Sequence, residues 1–392
     1  MMARTFLSAV CFLIASAGAV IAAEPLAADP TAAAGAPGAD ASSVPAGAIV
    51  VTGTNSPGDA ARINAAIAAS PEGAEVTIRG ACLIDEPIRL LGNRSYRGES
   101  RTGTVLKQAD GANLVALMAS SVFLDNKAWT GSPVAIRHLQ LDGNRQGNPK
   151  SATAGLVLRS WLSVVEDIHI RDMGSDGLRL TNLSADGTGL KTTQVNGRIA
   201  NCFIERAGRH GIFVEDTQNA VTDWILTDNW IASSGVDGIH MDNAAGWFVQ
   251  RNHVYGVPQH AILARRAFAT SICDNYIEGF GESEEAGQWC GIYATLQGGI
   301  GSTIANNRIF NFGGETQKQS QYRYLAVTAN YGTAMVVVAN NVIRGGGTPR
   351  GTAMHYRASG DRKLLLTSND NAAADVAEPR MLEGNVVLQP GL

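Results

Sequence analysis

Three asparagines, Asn229, Asn252 and Asn275, recur 23 residues apart inside the similar fragments TDNWI, QRNHV and CDNYI. The column continues upstream through Leu139, Ile168 and Cys202, and downstream through Asn307 (ANNRI) and Asn341 (ANNVI), at intervals of 23 to 34 residues. A constant motif at variable intervals marks one structural turn repeated, with loops of different length inserted. Three residues before the column stand Ile136, Val165, Ile199, Leu226, Val249, Ile272, Ile304 and Val338. Two residues after it stand Leu141, Ile170, Ile204, Ile231, Val254, Ile277, Ile309 and Ile343. All are aliphatic. Side chains alternate along a strand, so positions five apart on a straight strand face opposite sides. Both columns are buried only if the chain bends between them. The asparagine is placed at that bend, because Asn tolerates left-handed backbone better than other non-glycine residues. Short β-branched runs without apolar residues at three and four apart exclude a helical reading.

A second column opens on a small residue and then alternates: GLRL from Gly177, GIFV from Gly211, GIHM from Gly238, AILA from Ala261 and GIYA from Gly291. The first and third positions after the small residue face a core, and the second and fourth face outward. The fold expected is all-β: a single-chain parallel β-helix, a solenoid coiling right-handed as parallel connections do. Residues 57–71 (PGDAARINAAIAASP) read as a short amphipathic helix that caps its open end.

The domain layout follows. Residues 1–23 carry one Arg, an apolar run and then small residues, the pattern of a secretory signal peptide. Residues 24–48 are rich in Ala, Pro, Gly and Asp and read as a flexible linker, leaving 49–392 as one β-helix domain. No later run approaches a membrane span, so the expected location is secreted or periplasmic. A net charge of −4 with 17% charged residues gives no basic excess and argues against a nucleic-acid partner. Beyond the leader stand Cys82, Cys202, Cys273 and Cys290. They show no metal-ligand spacing; a Cys273–Cys290 disulfide is open, though cysteine as a small core filler is the simpler reading. No cofactor is expected; a calcium-dependent lyase would want an acidic cluster plus a Lys or Arg base, and Asp242 with Arg265 is too little to argue for calcium.

The opening of the domain carries a resemblance. The capping helix, then VTIRGACLI from Val76, PIRL from Pro87 and a G-E-S turn before Thr104-Val105-Leu106-Lys107, resembles pectate-lyase-like right-handed β-helix proteins. That resemblance covers residues 57 to about 345 and implies the fold more than the activity. The paired-Asp and R-I-K series of pectin hydrolases is absent, G-R-H-G at Gly208 to Gly211 being its only echo, and so is the D-P-H of epimerases. The segment from Asp228 to Phe280 is similar in layout to inulin fructotransferases, which release a cyclic fructose disaccharide. There Asp237 falls on an acidic catalytic position. The partner carboxylate falls in Ala244 to Phe248, where this chain has no acid, so Asp242 or a loop Glu would have to substitute.

Outward positions on successive turns form ladders about 4.8 Å apart. One holds Thr181, Glu215, Asp242, Arg265 and Thr295; another holds Arg179, Phe213, His240, Leu263 and Tyr293. The residue before each small residue gives Asp176, His210, Asp237, His260 and Cys290. Glu215 and Asp242, one rung apart, match the carboxylate separation of a retaining glycosidase. Arg265 and Arg266 would hold substrate hydroxyls or simply neutralise a solvated acidic ladder. Alternating Asp and His at rung spacing suggests Asp–His pairs for acid–base work, against a corner role for Asp237; His240 points outward by parity. The loops after Asn275 and Asn307 add Glu278, Glu282, Trp289, Glu315, Tyr322 and Arg323 with a Phe280–Phe312 stack, acids beside rings that suit a sugar cleft.

The function expected is an exported carbohydrate-active enzyme that cleaves a glycosidic bond in a poly- or oligosaccharide, as lyase, glycosidase or fructotransferase. Catalysis falls to Glu215, Asp237, His240 and Asp242, and substrate binding to Arg265, Arg266, His210, His260, Glu278, Glu282, Trp289 and Tyr293. The alternative is a non-catalytic surface or carbohydrate-binding β-helix. Either is compatible with a homotrimer whose seam uses the outward Trp230, Tyr255 and Tyr276.

Overall fold

In the computed structural model, which describes residues 49–283, 287–311, 321–346 and 350–390, each turn of a parallel coil adds one strand to each of three faces. On the first face Ile225–Thr227 lies between Arg198–Ala200 and Phe248–Gln250. On the second Trp230–Ala232 lies between Phe203–Glu205 and His253–Tyr255. On the third Ile239–Met241 lies between Ile212–Glu215 and Ile262–Ala267. The third face is an 11-stranded sheet; the first two merge into 23 strands because Glu75–Ile84 runs through both. The signal-peptide and linker readings fall on residues 1–48, outside the described residues, as do Phe312 and Glu315.

Both aliphatic columns are buried. Every residue from Ile136 to Val338 and from Leu141 to Ile343 in them is at most 1% exposed. The helix Asp59–Ala69 adds Ala60, Ile63 and Ile67 to the same core. Between the third and first faces the core holds Trp224 stacked on Trp247, ring centres 6.3 Å apart. Gly197 is what lets Trp224 in, since a Cβ there would come within 2.3 Å of its ring.

The bend between the first two faces differs from expectation. The left-handed residue is the one before each asparagine: Asp228, Arg251, Asp274, Asn306 and Asn340, with φ between 54° and 59°. That kink turns the asparagine inward, where the side chains form a ladder along the coil. Asn229 Nδ2 donates to Asn252 Oδ1 at 2.9 Å, Asn252 Nδ2 to Asn275 Oδ1 at 3.1 Å, and Asn275 Nδ2 to Asn307 Oδ1 at 2.9 Å. Each Oδ1 also accepts the backbone N–H of the preceding asparagine. The column runs on to Asn371, which caps Asn341 at 2.9 Å.

The coil continues to the C-terminal end: Lys363–Asn369, Ala372–Ala374, Glu378–Glu383 and Val386–Leu388 extend all three faces in register. Cys273 and Cys290 are free thiols, because Cys273 lies on the first face and Cys290 on the third. Trp230, Tyr255 and Tyr276 are outward, at 50%, 44% and 38% exposure. Among the described residues no helix is long and apolar enough to cross a membrane.

One loop is tied by a single carboxylate. Asp216 accepts the N–H groups of Gln218, Asn219, Ala220 and Val221 at 2.8–3.0 Å, and Asn243 Nδ2 at 2.7 Å. Burial alone would raise its pKa, but these donors outweigh it and hold it below the ordinary value of 3.8. A pKa depressed by folding adds stability that is full above the unfolded value and lost as pH falls through the folded one. The stability gap between the wild type and Asp216→Asn is therefore expected to be widest above about pH 5 and to shrink below about pH 4. Urea unfolding from pH 3 to 7 measures it; a gap independent of pH would contradict the assignment.

Candidate functional site

The third face carries a cluster of charged and aromatic side chains, centred on the strands Ile212–Glu215 and Ile239–Met241 and the corners that precede them. Outward parity places His240 beside Phe213, and Asp242 one rung from Glu215, since Phe213 pairs with His240 in the ladder. At the preceding corner Gly211 and Gly238 stack with no room for a side chain: a Cβ on Gly238 would come within 2.4 Å of Val254. The corner residues His210 and Asp237 therefore sit directly over one another's coils.

Asp237 is the centre of this cluster. It is 1% exposed. Its Oδ2 lies 2.7 Å from His240 Nδ1 and 3.4 Å from His210 Nδ1, while Oδ1 accepts the backbone N–H of His260 at 2.8 Å. The other ring nitrogen of His240 is 3.2 Å from Asp242 Oδ1, and Arg265 Nη1 donates to the same oxygen at 3.3 Å. The result is a continuous chain Asp237–His240–Asp242–Arg265 from the buried corner to the surface. Glu215, partly buried, accepts a hydrogen bond from Thr181 Oγ1 at 2.7 Å.

The three histidines have different electrostatic settings. Burial disfavours the charged form of His240, but the hydrogen bonds and charges of Asp237 and Asp242 outweigh it and raise its pKa. Burial pushes His210 down to about 4, Asp237 offsetting only part of this. Burial likewise lowers His260. His260 Nδ1 accepts the backbone N–H of Cys290 at 3.1 Å, so that nitrogen carries no proton. The pKa of Asp237 is lowered: its burial is outweighed by the His240 hydrogen bond and the neighbouring imidazoles.

The expected Asp–His alternation holds only in part. Asp176 pairs with guanidinium groups: Arg179 at 2.8 Å and Arg209 through both oxygens, at 2.8 and 2.6 Å. Arg209, not singled out from the sequence, also covers the Phe213 ring at 4.4 Å. It occupies a corner, where strand parity gives no direction; the signal was its place just before His210, which follows Asp176 in the corner column. Trp289 and Tyr293 flank His260, at 5.6 and 5.8 Å between ring centres. Arg266 is set apart from Arg265 by a register shift between Ala264 and Ala267; it is left-handed at φ 54°, and its N–H is bonded to Thr295. A bulge of this kind re-aims neighbouring side chains.

Two loop acids are not part of the cluster. Glu278 belongs to the second face, where its carboxylate is 3.6 Å from His253. Glu282 is exposed, its carboxylate close to Gly279, again next to the second face. Tyr322 is buried against Phe280, ring centres 6.1 Å apart.

No protein-family model matches the chain, and no curated protein matches it in sequence. Solved structures do match it in shape. The A-module of the mannuronan C-5 epimerase AlgE4 of Azotobacter vinelandii superposes with a TM-score of 0.57 at 15% identity, over 85% of this chain and 96% of that one. The fold is the right-handed parallel β-helix. The β-helix of the Agl-KA catalytic domain gives a TM-score of 0.60 at 16% identity, over 89% of this chain and 69% of that one. The gp42 tailspike of Acinetobacter phage vb_AbaP_AS12 gives 0.59 at 11%, over 88% and 63%. At these identities the likeness establishes the β-helix and bears out the resemblance to pectate-lyase-like proteins as a likeness of fold.

Proposed function

We propose that this chain is an exported enzyme that cleaves or transfers a glycosidic bond in a poly- or oligosaccharide, on the third face of the β-helix. The observation that carries the reading is the unequal support of two carboxylates on adjacent rungs. Asp242 has two donors, the Arg265 guanidinium and the His240 ring; Glu215 has the hydroxyl of Thr181. Rungs about 4.8 Å apart suit the roughly 5 Å separation of a retaining pair.

In this reading Asp242 is the nucleophile and attacks the anomeric carbon, forming a glycosyl ester. Glu215 gives its proton to the departing glycosidic oxygen, then takes one from the water or sugar hydroxyl that resolves the ester. Asp237 fixes the ring of His240, and His240 with Arg265 fixes the attacking oxygen of Asp242. Trp289 and Tyr293 offer aromatic surface to the sugar next to His260. The name of one similar structure, a mannuronan epimerase, supports a polysaccharide substrate. The apolar leader at residues 1–23 supports export.

The test is a panel of neutral and acidic polysaccharides incubated with the purified protein, read by reducing ends, mass spectrometry of small products and near-ultraviolet absorbance. We expect shortened or cyclised saccharides without absorbance. An absorbing, unsaturated product would instead mean elimination. A folded protein that changes none of the panel would overturn the enzymatic reading in favour of a binding protein.

A further inference from the structure

The same cluster holds an arrangement that proton transfer alone does not explain. His210, Asp237 and His240 each place one donor atom within 4.8 Å of the others. Their side chains are 7%, 2% and 11% exposed. His210 Nδ1 is buried with no hydrogen-bond partner, although it is 3.4 Å from Asp237 Oδ2. A buried ring nitrogen left unpaired beside a carboxylate is costly unless something else satisfies it.

We propose that His210, Asp237 and His240 bind a divalent transition-metal ion of the zinc class. The inference rests on the placement of the site just described, though not on its reaction. Two imidazoles and one carboxylate are a donor set for zinc or a neighbouring first-row ion; calcium and magnesium prefer oxygen throughout. Bonds of about 2.0–2.2 Å in a tetrahedral site put ligand atoms about 3.3 Å apart. The His210–Asp237 pair is at 3.4 Å, and the His240–Asp237 pair at 2.7 Å opens slightly when the ion replaces the proton between them.

The surroundings match what a metal ligand set needs outside its own bonds. A ligating histidine usually donates its other N–H to a carboxylate, and a ligating carboxylate is itself hydrogen-bonded. His240 turns its other nitrogen to Asp242 at 3.2 Å, and Asp237 Oδ1 is held by the His260 N–H at 2.8 Å. The nearby guanidinium groups are already matched, Arg209 by Asp176 and Arg265 by Asp242. A bound ion would lock Asp237 and His240 and leave the His240–Asp242 contact in place, so the metal would position Asp242.

The experiment is titration of chelator-treated full-length protein with Zn²⁺ by calorimetry and with Co²⁺ by visible absorption. We expect one ion per chain, proton release on binding, and cobalt bands of a nitrogen- and oxygen-ligated centre. His210→Ala and His240→Ala should each weaken binding by about 100-fold or more, while His355→Ala, on a distant rung, should not. Circular dichroism of each variant separates a lost ligand from a lost fold, and either ligand variant alone suffices. No saturable binding up to millimolar metal, or binding unchanged in a folded ligand variant, overturns the site. Metal binding in a protein inactive on every polysaccharide would leave this site standing and sink the proposed enzyme; activity in protein that binds no metal would do the reverse.

Discussion

Replacing Asn252 with alanine is expected to cost about 4 kcal/mol of stability, more than truncating most surface side chains on the coil. The side chain accepts both the backbone N–H and Nδ2 of Asn229, and donates to Leu226 O at 3.0 Å and Asn275 Oδ1 at 3.1 Å. All of this lies in the core, Asn252 being 1% exposed. Removing it leaves buried donors on one side and buried acceptors on the other, each worth about 1–3 kcal/mol when unsatisfied. Leucine should be no better. Leu139 and Ile168 occupy the same column safely because their neighbours in it are also apolar, whereas a leucine at 252 would sit between Asn229 and Asn275. Urea unfolding followed by tryptophan fluorescence reads the loss; a change below about 1 kcal/mol would mean that the ladder is not what holds this corner.

The second large effect concerns chemistry. Asp242→Asn is expected to lower turnover by about 10³-fold or more, because an amide at this position cannot form the glycosyl ester. Glu215→Gln should lose a similar factor on natural glycosides, yet keep activity on aryl glycosides whose leaving group needs no proton. That split distinguishes nucleophile from proton donor, which a general loss of structure would not. Asp237→Asn should lose less than either, about 10- to 100-fold, since it perturbs the orientation of His240 without removing a reacting group. Initial rates on the best substrate of the panel measure all three. Equal, small losses in every variant would place the chemistry elsewhere.

The coil was legible in the sequence because burial on a strand is periodic. Ile231 and Ile239 both had to point inward, and they do. Outward positions within a strand followed by parity, which is how His240, Asp242 and Glu215 were placed correctly on one face. Parity ends at a corner. The partners of Asp176, the direction of Arg209 and the approach of His210 to Asp237 depend on backbone angles that no alternation encodes. The loop acids failed for another reason: Glu278 follows its own strand onto the second face, however acidic the segment after it looks. The last turn is the hardest to read in register, because Ala373 takes the column position that Ile343 fills one turn earlier, so the aliphatic mark disappears while the register persists.

The most direct test of the account is a structure of the Asp242→Asn protein with an oligosaccharide of the active substrate bound. We expect one sugar ring to lie across the rungs of Glu215 and residue 242, its glycosidic oxygen in reach of Glu215, with Trp289 or Tyr293 against a neighbouring ring. A saccharide bound instead in the cavity beside Trp129 and Arg94, or along Trp230 and Tyr276 on the second face, with the third face empty, would contradict it.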